Sequence, residues 1–441
     1  MKGRNTNYND WFKYCRLPGI NYVYCGLGLL VVTLLWPVLY YWGLPLPHAL
    51  TARVGGTIGP IVLYIGLRRF IIHTKTLLLL TATMRTVFLL WRLMLLILLA
   101  YGIINGNEVL AVIREFIFLW LFSELLIAGV NPLFWHAINP FLTISFYVAT
   151  PIMLLYYNVP GIVTDELGSD FLHTAEIGGR FTWSLVYEIK SLVASGIFLA
   201  LWATICSPAQ PKLIRALQLI APLFQFFFTV VLFQFRGGAF IFILATLSFF
   251  IIRPLLDHQK VRNTMLILTG GIIGLIIYAQ SEAFTLLQYR AFEATQSSGI
   301  FESRTSEFAD FINDMSLDIV IGRGLGGTFD ASNTFGEIQE NAHKWGTLHF
   351  GMGIFLLKGG FALLILFMYF LVPTRLSVIY RTSSRYHLIA VLYYPIIMFS
   401  YIMNPFSLSA ANICKYIPIF LMLGILHSRH TGKPANSPHI R

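Results

Sequence analysis

Several arginine and histidine residues lie in one long polar segment of an otherwise apolar chain. The segment runs from about Gln280 to Leu348, and the side chains that could carry chemistry in it or directly after it are Arg290, Arg304, Arg323, His343 and His349. A guanidinium presents a planar fork of N–H donors that suits phosphate oxygens, and a neutral imidazole can accept a proton near about pH 7. The segment therefore predicts half of an active site for a phosphate-linked lipid substrate.

Two arginines outside this segment, Arg180 and Arg236, lie beside paired glycines. Backbone at paired glycines can approach a ligand closely. We therefore expect both arginines, together with Arg290, to bind a diphosphate without a metal ion. The alternative is that these arginines only extend to lipid headgroups.

The two histidines, His343 and His349, stand near Glu340 but do not complete a metal site. A zinc site needs further ligands at suitable spacing, and none is evident here. No metal and no other cofactor is therefore predicted. His349 begins an apolar segment, so we interpret it as a base at the membrane interface, with His343 in a supporting role.

A run of glycines, Gly322-Arg323-Gly324-Leu325-Gly326-Gly327, superficially matches a dinucleotide-binding pattern. No strand–helix unit is predicted around it, so that interpretation fails its structural requirement. We predict a tight turn instead, one able to pack against substrate, with Arg323 as a supporting residue.

The composition predicts an all-α polytopic membrane protein. The chain has 441 residues, of which 56% are hydrophobic and 12% are charged, against about 25% charged in ordinary soluble domains. Apolar runs of about 20 residues, each long enough to cross a bilayer as a helix, recur along it. The net charge of +11 is scattered between these runs, which argues against a nucleic-acid partner.

About twelve transmembrane helices are predicted, each from an apolar run of sufficient length. They lie at 22–43, 54–72, 86–105, 109–129, 138–157, 183–206, 217–235, 237–252, 264–280, 349–372, 387–403 and 411–427. Lys and Arg fall about three times as often on one side of this arrangement as on the other, which places both termini in the cytoplasm. A shorter loop at 158–182 and the long polar segment then lie on the outer side.

The long outer loop, residues 281–348, separates the spans in 1–280 from those in 349–441. Connections longer than about 15 residues are uncommon unless they are functional or disordered. Apolar residues recur in this loop at near-helical spacing, namely Phe301, Phe308, Phe311, Ile312, Ile319 and Ile321. We therefore expect short helices on the outer surface.

Two lysines, Lys190 and Lys358, lie inside predicted spans, where a charge suggests function. We expect them to pair with Glu188 or to face an aqueous cavity, and we take both as supporting site residues. Most other ionisable residues in the spans lie near helix ends, from which side chains can extend to water.

Four motifs occur in a fixed order and on one predicted side of the membrane. They are Phe235-Arg236-Gly237-Gly238-Ala239, Arg304-x-x-Glu307, the glycine run at 322–327, and the stretch from His349 to Gly359-Gly360. This series, within residues 170–372, resembles the O-antigen polymerase and O-antigen ligase superfamily of bacterial inner-membrane glycosyltransferases. The N-terminal spans share only hydrophobicity with that family.

The resemblance implies a helical bundle with a periplasmic loop domain. Family members move an oligosaccharide from undecaprenyl diphosphate to an acceptor sugar without a metal. The family arginines matching Arg236 and Arg304 hold the diphosphate or position the sugars, and the histidine matching His349 activates the acceptor hydroxyl. We therefore take His349 and Arg304 as catalytic. In this chain Phe350 follows the histidine, where the family often has Asn or Ser.

The predicted function is that of an O-antigen polymerase, which joins undecaprenyl-diphosphate-linked repeat units. Membrane lipids, a chain-length regulator and the repeat-unit flippase are the expected partners. An O-antigen ligase, which transfers polysaccharide to lipid A core, is the alternative within the family; the 37 Phe and 21 Tyr residues and the context of His349 favour the polymerase. A transporter is the alternative of another class, but no internal repeat or matched pair of broken helices is seen in the sequence.

Overall fold

The structure, a computed structural model, describes residues 14–41, 58–157, 196–205, 212–226, 299–330, 344–346, 351–371, 389, 390, 394, 408 and 413–427. These residues are mostly helical, so the predicted α-helical class is confirmed for this part of the chain. The predicted spans at 237–252 and 264–280 and the shorter loop at 158–182 lie outside it. The set of twelve spans stays a prediction.

The structure describes seven α-helices between residues 20 and 226. In chain order they are α1 (Ile20–Tyr41), α2 (Gly59–His73), α3 (Ala82–Ile104), α4 (Val109–Gly129), α5 (Pro132–Tyr157), α6 (Gly196–Ile205) and α7 (Lys212–Phe226). A 3₁₀ turn, Thr76–Leu79, stands between α2 and α3.

The second half begins, within the predicted outer loop, with two helices and two short strands. These are α8 (Gly299–Met315), α9 (Asp318–Ile321), β1 (Phe329–Asp330) and β2 (Lys344–Trp345), after which come α10 (Gly353–Leu371) and α11 (Ile413–Leu426). The strands pair antiparallel, with Phe329 opposite Trp345. The helices expected in this segment are present as α8 and α9, whereas the apolar spacing does not predict the strands.

Two helices in the described part of the chain, α3 and α10, are long and apolar enough to cross a membrane by length and composition. Their bounds lie within a few residues of the predicted spans 86–105 and 349–372. The local sequence explains where α3 begins, because the Thr81 hydroxyl accepts a hydrogen bond from the Met84 N–H at 3.2 Å and so caps the first turn.

Glycines allow two pairs of helices to pack closely. Gly26 on α1 faces α2, where an added Cβ would lie 2.5 Å from the Leu63 nitrogen. Gly129 on α4 and Gly424 on α11 face each other's helix in the same way. Small residues bring helix backbones together, which favours association where van der Waals packing must drive it.

An aromatic cluster fixes α10 against its neighbours. Phe370 packs edge-on against Trp91 of α3, with ring centres 5.2 Å apart, and against Phe122 of α4 at 5.7 Å. Phe122 also packs against Phe420 of α11 at 4.7 Å. Such pairs contribute about 0.5–1.5 kcal/mol each beyond their buried area. This packing holds the second half of α10 in place against α3 and α4, and so helps to position the polar residues that precede it.

Candidate functional site

Residues 322–327, called the glycine-rich loop below, form a turn between α9 and β1. Gly322, Gly324 and Gly326 have φ values of +81°, +79° and +74°, a region that residues with a Cβ enter only with strain. The loop follows a helix of four residues and leads into a two-residue strand. It is a turn, as predicted, and the described elements on either side of it do not form a dinucleotide-binding unit.

Helix α10 is broken at two consecutive glycines. Gly359 and Gly360 leave helical geometry, with φ/ψ values of −139°/17° and 59°/−157°. Gly360 lies against α9, where an added Cβ would be 2.1 Å from the Val320 carbonyl oxygen. The hydrophobic pattern of α10 does not predict this break, because the apolar run continues through it.

The glycine-rich loop bonds to peptide groups next to the break. The N–H groups of Arg323 and Gly324 donate to the carbonyls of Leu357 and Lys358 at 2.7 and 3.0 Å. Buried backbone groups need hydrogen-bond partners, and a helix that loses its regular bonding leaves carbonyls without their usual donors. The N–H groups of the loop and the carbonyls of the broken helix therefore satisfy each other's hydrogen-bonding needs.

A buried ion pair joins α4 and α10 at this loop. The Lys358 ammonium lies 2.6 Å from Glu115 Oε1 and donates to the Gly327 carbonyl at 2.7 Å. The second Glu115 oxygen accepts from the Gly326 N–H at 2.7 Å. The Lys358 side chain is 0% exposed and that of Glu115 is 14% exposed. We call Lys358, Glu115, Gly326 and Gly327 the Lys358 cluster.

The Lys358 cluster corrects one prediction. The prediction that Lys358 pairs with Glu188 or faces an aqueous cavity is wrong, since its partner is Glu115 and its side chain is buried. Positions along a chain do not reveal which helix lies opposite, and these two residues are 243 positions apart. Glu188 and Lys190 lie outside the described residues.

Asn107, in the turn between α3 and α4, holds the loop from another side. Its Nδ2 donates to the carbonyls of Arg323 and Leu325 at 2.9 and 2.8 Å. The Leu325 N–H donates to the Leu98 carbonyl of α3 at 3.4 Å, and the Leu325 side chain is fully buried. The loop is thus docked at the end of the bundle where α3 ends and α4 begins, which we call the α3–α4 end.

Arg323 contributes to the loop through its own side chain. Its guanidinium contacts Asp314 Oδ2 at 2.6 Å, Asp318 Oδ2 at 3.1 Å and the Thr328 carbonyl at 2.9 Å. Burial lowers the pKa of Arg323, but its hydrogen bonds and charge interactions with the two aspartates raise it by more, so the pKa lies above its usual value. Arg323 therefore joins α8 and α9 to the loop, and its donors are used within the protein; its supporting role in a site stays a prediction.

Arg304 and His349 are the predicted catalytic residues. Arg304 lies on α8, and the buried residue Phe311 of that helix packs in one cluster with Leu357 of α10. His349 lies outside the described residues, three positions after Gly346. An added Cβ at Gly346 would be 3.8 Å from the Lys358 ammonium. The remaining predicted site residues also lie outside the described residues; they are Arg180, Lys190, Arg236, Arg290 and His343.

A second buried acid lies nearer the other end of α4. Glu124 Oε1 accepts from Arg92 of α3 at 2.6 Å and lies 3.7 Å from Arg68 of α2. The Arg92 guanidinium also lies over the Trp120 ring, 5.4 Å from its centre. Glu124 is fully buried, and its contacts with Arg92 and Arg68 tie α2, α3 and α4 together.

No family model, no curated protein and no solved structure matches this chain. Within the described residues, no group of three or more His, Cys, Asp or Glu side chains is placed to hold a metal ion. The chemistry is therefore argued from the residues themselves.

We predict that exchanging the two charges, Glu115→Lys together with Lys358→Glu, does not restore stability. A simple ion pair would tolerate the exchange. In this protein, however, the exchange places a lysine donor beside the Gly326 N–H, which is also a donor, and a carboxylate acceptor beside the Gly327 carbonyl, which is also an acceptor. Breaking a buried pair costs about 3–5 kcal/mol, so Lys358→Met and the exchanged variant should both unfold well below the wild-type temperature. Thermal unfolding of the purified protein measures this.

The matched control for this exchange is Arg114→Gln, which removes an exposed charge from the helix that carries Glu115. Its unfolding temperature should stay close to that of the wild type. If the exchanged variant were as stable as this control, the pair would act without the backbone of the loop, and the Lys358 cluster would not be one unit.

We also predict that Gly360→Ala destabilises the protein by more than about 1 kcal/mol, because alanine is strained at positive φ and its Cβ would collide with Val320. The matched control is Gly28→Ala in α1, where nothing lies within 4 Å of an added Cβ. That change should be neutral or stabilise by up to about 1 kcal/mol. Equal unfolding free energies for the two variants would contradict the close contact between α9 and α10.

Proposed function

We propose that this protein is a glycosyltransferase of the bacterial inner membrane, an O-antigen polymerase that joins undecaprenyl-diphosphate-linked repeat units on the periplasmic face. In this proposal the chain crosses the membrane twelve times with both termini in the cytoplasm, and residues 281–348 form the periplasmic loop. The observation that carries the proposal is the docking of the glycine-rich loop at the α3–α4 end of the bundle.

The docking supports the proposal because two chain segments that adjoin the proposed catalytic residues in sequence both contact one helix, α10. α8, which bears Arg304, packs on α10, and Gly346, three positions before His349, lies near Lys358 of α10. Transfer between two bound sugars depends on holding the reacting groups in a fixed relation, which can lower a barrier by about 7–11 kcal/mol. A loop fastened by buried hydrogen bonds suits that requirement.

The proposed chemistry is one displacement at the anomeric carbon of the donor. His349 accepts the proton of the acceptor hydroxyl as its oxygen bonds to that carbon, and the bond to the diphosphate oxygen breaks. Arg304 and Arg236, with Arg180 and Arg290, stabilise the negative charge on the departing diphosphate. Guanidinium groups stay charged at any relevant pH and bind phosphate oxygens in a two-pronged manner, so they supply the charge that this step needs.

A transporter is the second candidate, because α10 is broken next to a buried charge and broken helices line binding sites in many transporters. At this break, however, the carbonyls of Leu357 and Lys358 bond to the backbone of the glycine-rich loop. The loop therefore occupies the position that a transported solute would need. This arrangement favours the fixed scaffold of an enzyme.

The proposal predicts a specific lipopolysaccharide defect in a strain that lacks this protein. Core molecules should carry a single repeat unit, because ligation continues without polymerisation. Loss of all capping would indicate the ligase instead, and normal chain lengths would contradict both enzymes. In the same strain, His343→Ala should restore long chains and His349→Ala should not.

The purified protein separates the role of His349 from a folding defect. Loss of a general base should lower the elongation rate by about 10²–10⁴, while binding of the undecaprenyl-linked donor through the arginines persists. His343→Ala is the matched comparison and should lower the rate much less than His349→Ala does. A folded His349→Ala protein that binds the donor and elongates at the wild-type rate would remove His349 from the mechanism.

A further inference from the structure

Five large apolar side chains on α8, on α9 and in the turn between them are exposed. They are Phe308, Ile312, Leu317, Val320 and Ile321, and we call them the apolar patch. Leu317 is 84% exposed, although the opposite side of α8 buries Phe311 and Met315 against α10. An exposed apolar surface of this kind marks a site of contact with another molecule or with a membrane.

The apolar patch adjoins a helix that is long and apolar enough to cross a membrane. The Val320 backbone lies against Gly360 of α10, and directly after this glycine α10 exposes Phe361 and Ile365. Exposed apolar residues on such a helix are the ones that face acyl chains. The patch and the exposed residues of α10 thus form neighbouring parts of one apolar surface.

Two aspartates and one arginine near the patch are paired with one another. Asp314 and Asp318 both bond to Arg323, while the exposed residue Asn313 lies about 140° around α8 from Phe308, because five residues turn a helix through about 500°. The exposed apolar residues therefore border paired charges and an exposed polar residue, which suits a segment that lies in a membrane interface.

We propose that the apolar patch is seated in the acyl chains of the outer leaflet, so that α8 and α9 anchor the loop in the membrane surface. The paired charges then lie at the level of the lipid headgroups. This inference rests on the membrane location in the proposed function and not on its chemistry. Its consequence is that α8, which carries Arg304, is held at the depth where a lipid-linked diphosphate lies.

The test uses the full-length protein in vesicles of phosphatidylethanolamine and phosphatidylglycerol. Single cysteines are placed by Leu317→Cys, Ile321→Cys, Asn313→Cys and Leu93→Cys in a background whose four natural cysteines are serine, and each carries an environment-sensitive fluorophore. Spin-labelled lipid quenches probes among acyl chains, and iodide quenches probes in water. Thermal unfolding of each variant shows that it is folded.

The inference predicts that probes at 317 and 321 are quenched several-fold more by spin-labelled lipid than the probe at 313, and that iodide gives the reverse order. Quenching at 317 and 321 by iodide, as at 313, would overturn it. Shielding of both positions from both quenchers would also overturn it, because a protein surface would then cover the patch.

The probe at 93 separates this inference from the proposed function. Leu93 is an exposed residue in the middle of α3, so lipid quenching there reports whether the helix crosses the membrane. Lipid quenching at 93 without lipid quenching at 317 and 321 would overturn only the seating of the patch. Absence of lipid quenching at 93 would overturn the membrane location and the inference with it.

Discussion

The hydrogen bonds of the Lys358 ammonium are the interaction on which the rest of the site depends. A buried ammonium is costly unless charge and hydrogen bonds compensate it, and Lys358 obtains both from Glu115 and the Gly327 carbonyl. Glu115 in turn bonds to the Gly326 N–H. Each charged residue thus has the other as its ionic partner and a second hydrogen bond from the loop, so the docked loop stabilises the buried pair.

The course of the loop follows from this requirement. To reach the cluster, the backbone must pass close to α3 and α10, which is possible because glycines stand on both sides of the contact. The break in α10 supplies carbonyls for the loop, and the aromatic cluster around Phe370 keeps the remainder of that helix fixed. Local irregularity at Gly359 and Gly360 is thus compensated by the regular packing that follows it.

Features that arise from local patterns could be predicted from the sequence. Length and hydrophobicity place α3 and α10 to within a few residues, and the glycine run predicts the turn at 322–327. Contacts between distant segments could not be predicted, because apolar periodicity does not specify which helices are neighbours. For that reason the partner of Lys358 is predicted incorrectly, and the role of Asn107 has no sequence signal beyond its place in a turn. The roles of His349 and Arg304 stay predictions that depend on the resemblance.

The measurement that tests the docking of the loop most directly is hydrogen–deuterium exchange of the full-length protein in lipid nanodiscs, followed on peptides that cover residues 322–327. Their N–H groups bond to Leu357, Lys358, Leu98 and Glu115, so we predict slow exchange, similar to that of a helix interior, and its loss in Lys358→Met. Fast exchange of these peptides in the wild-type protein, at the rate of an exposed loop, would contradict the account.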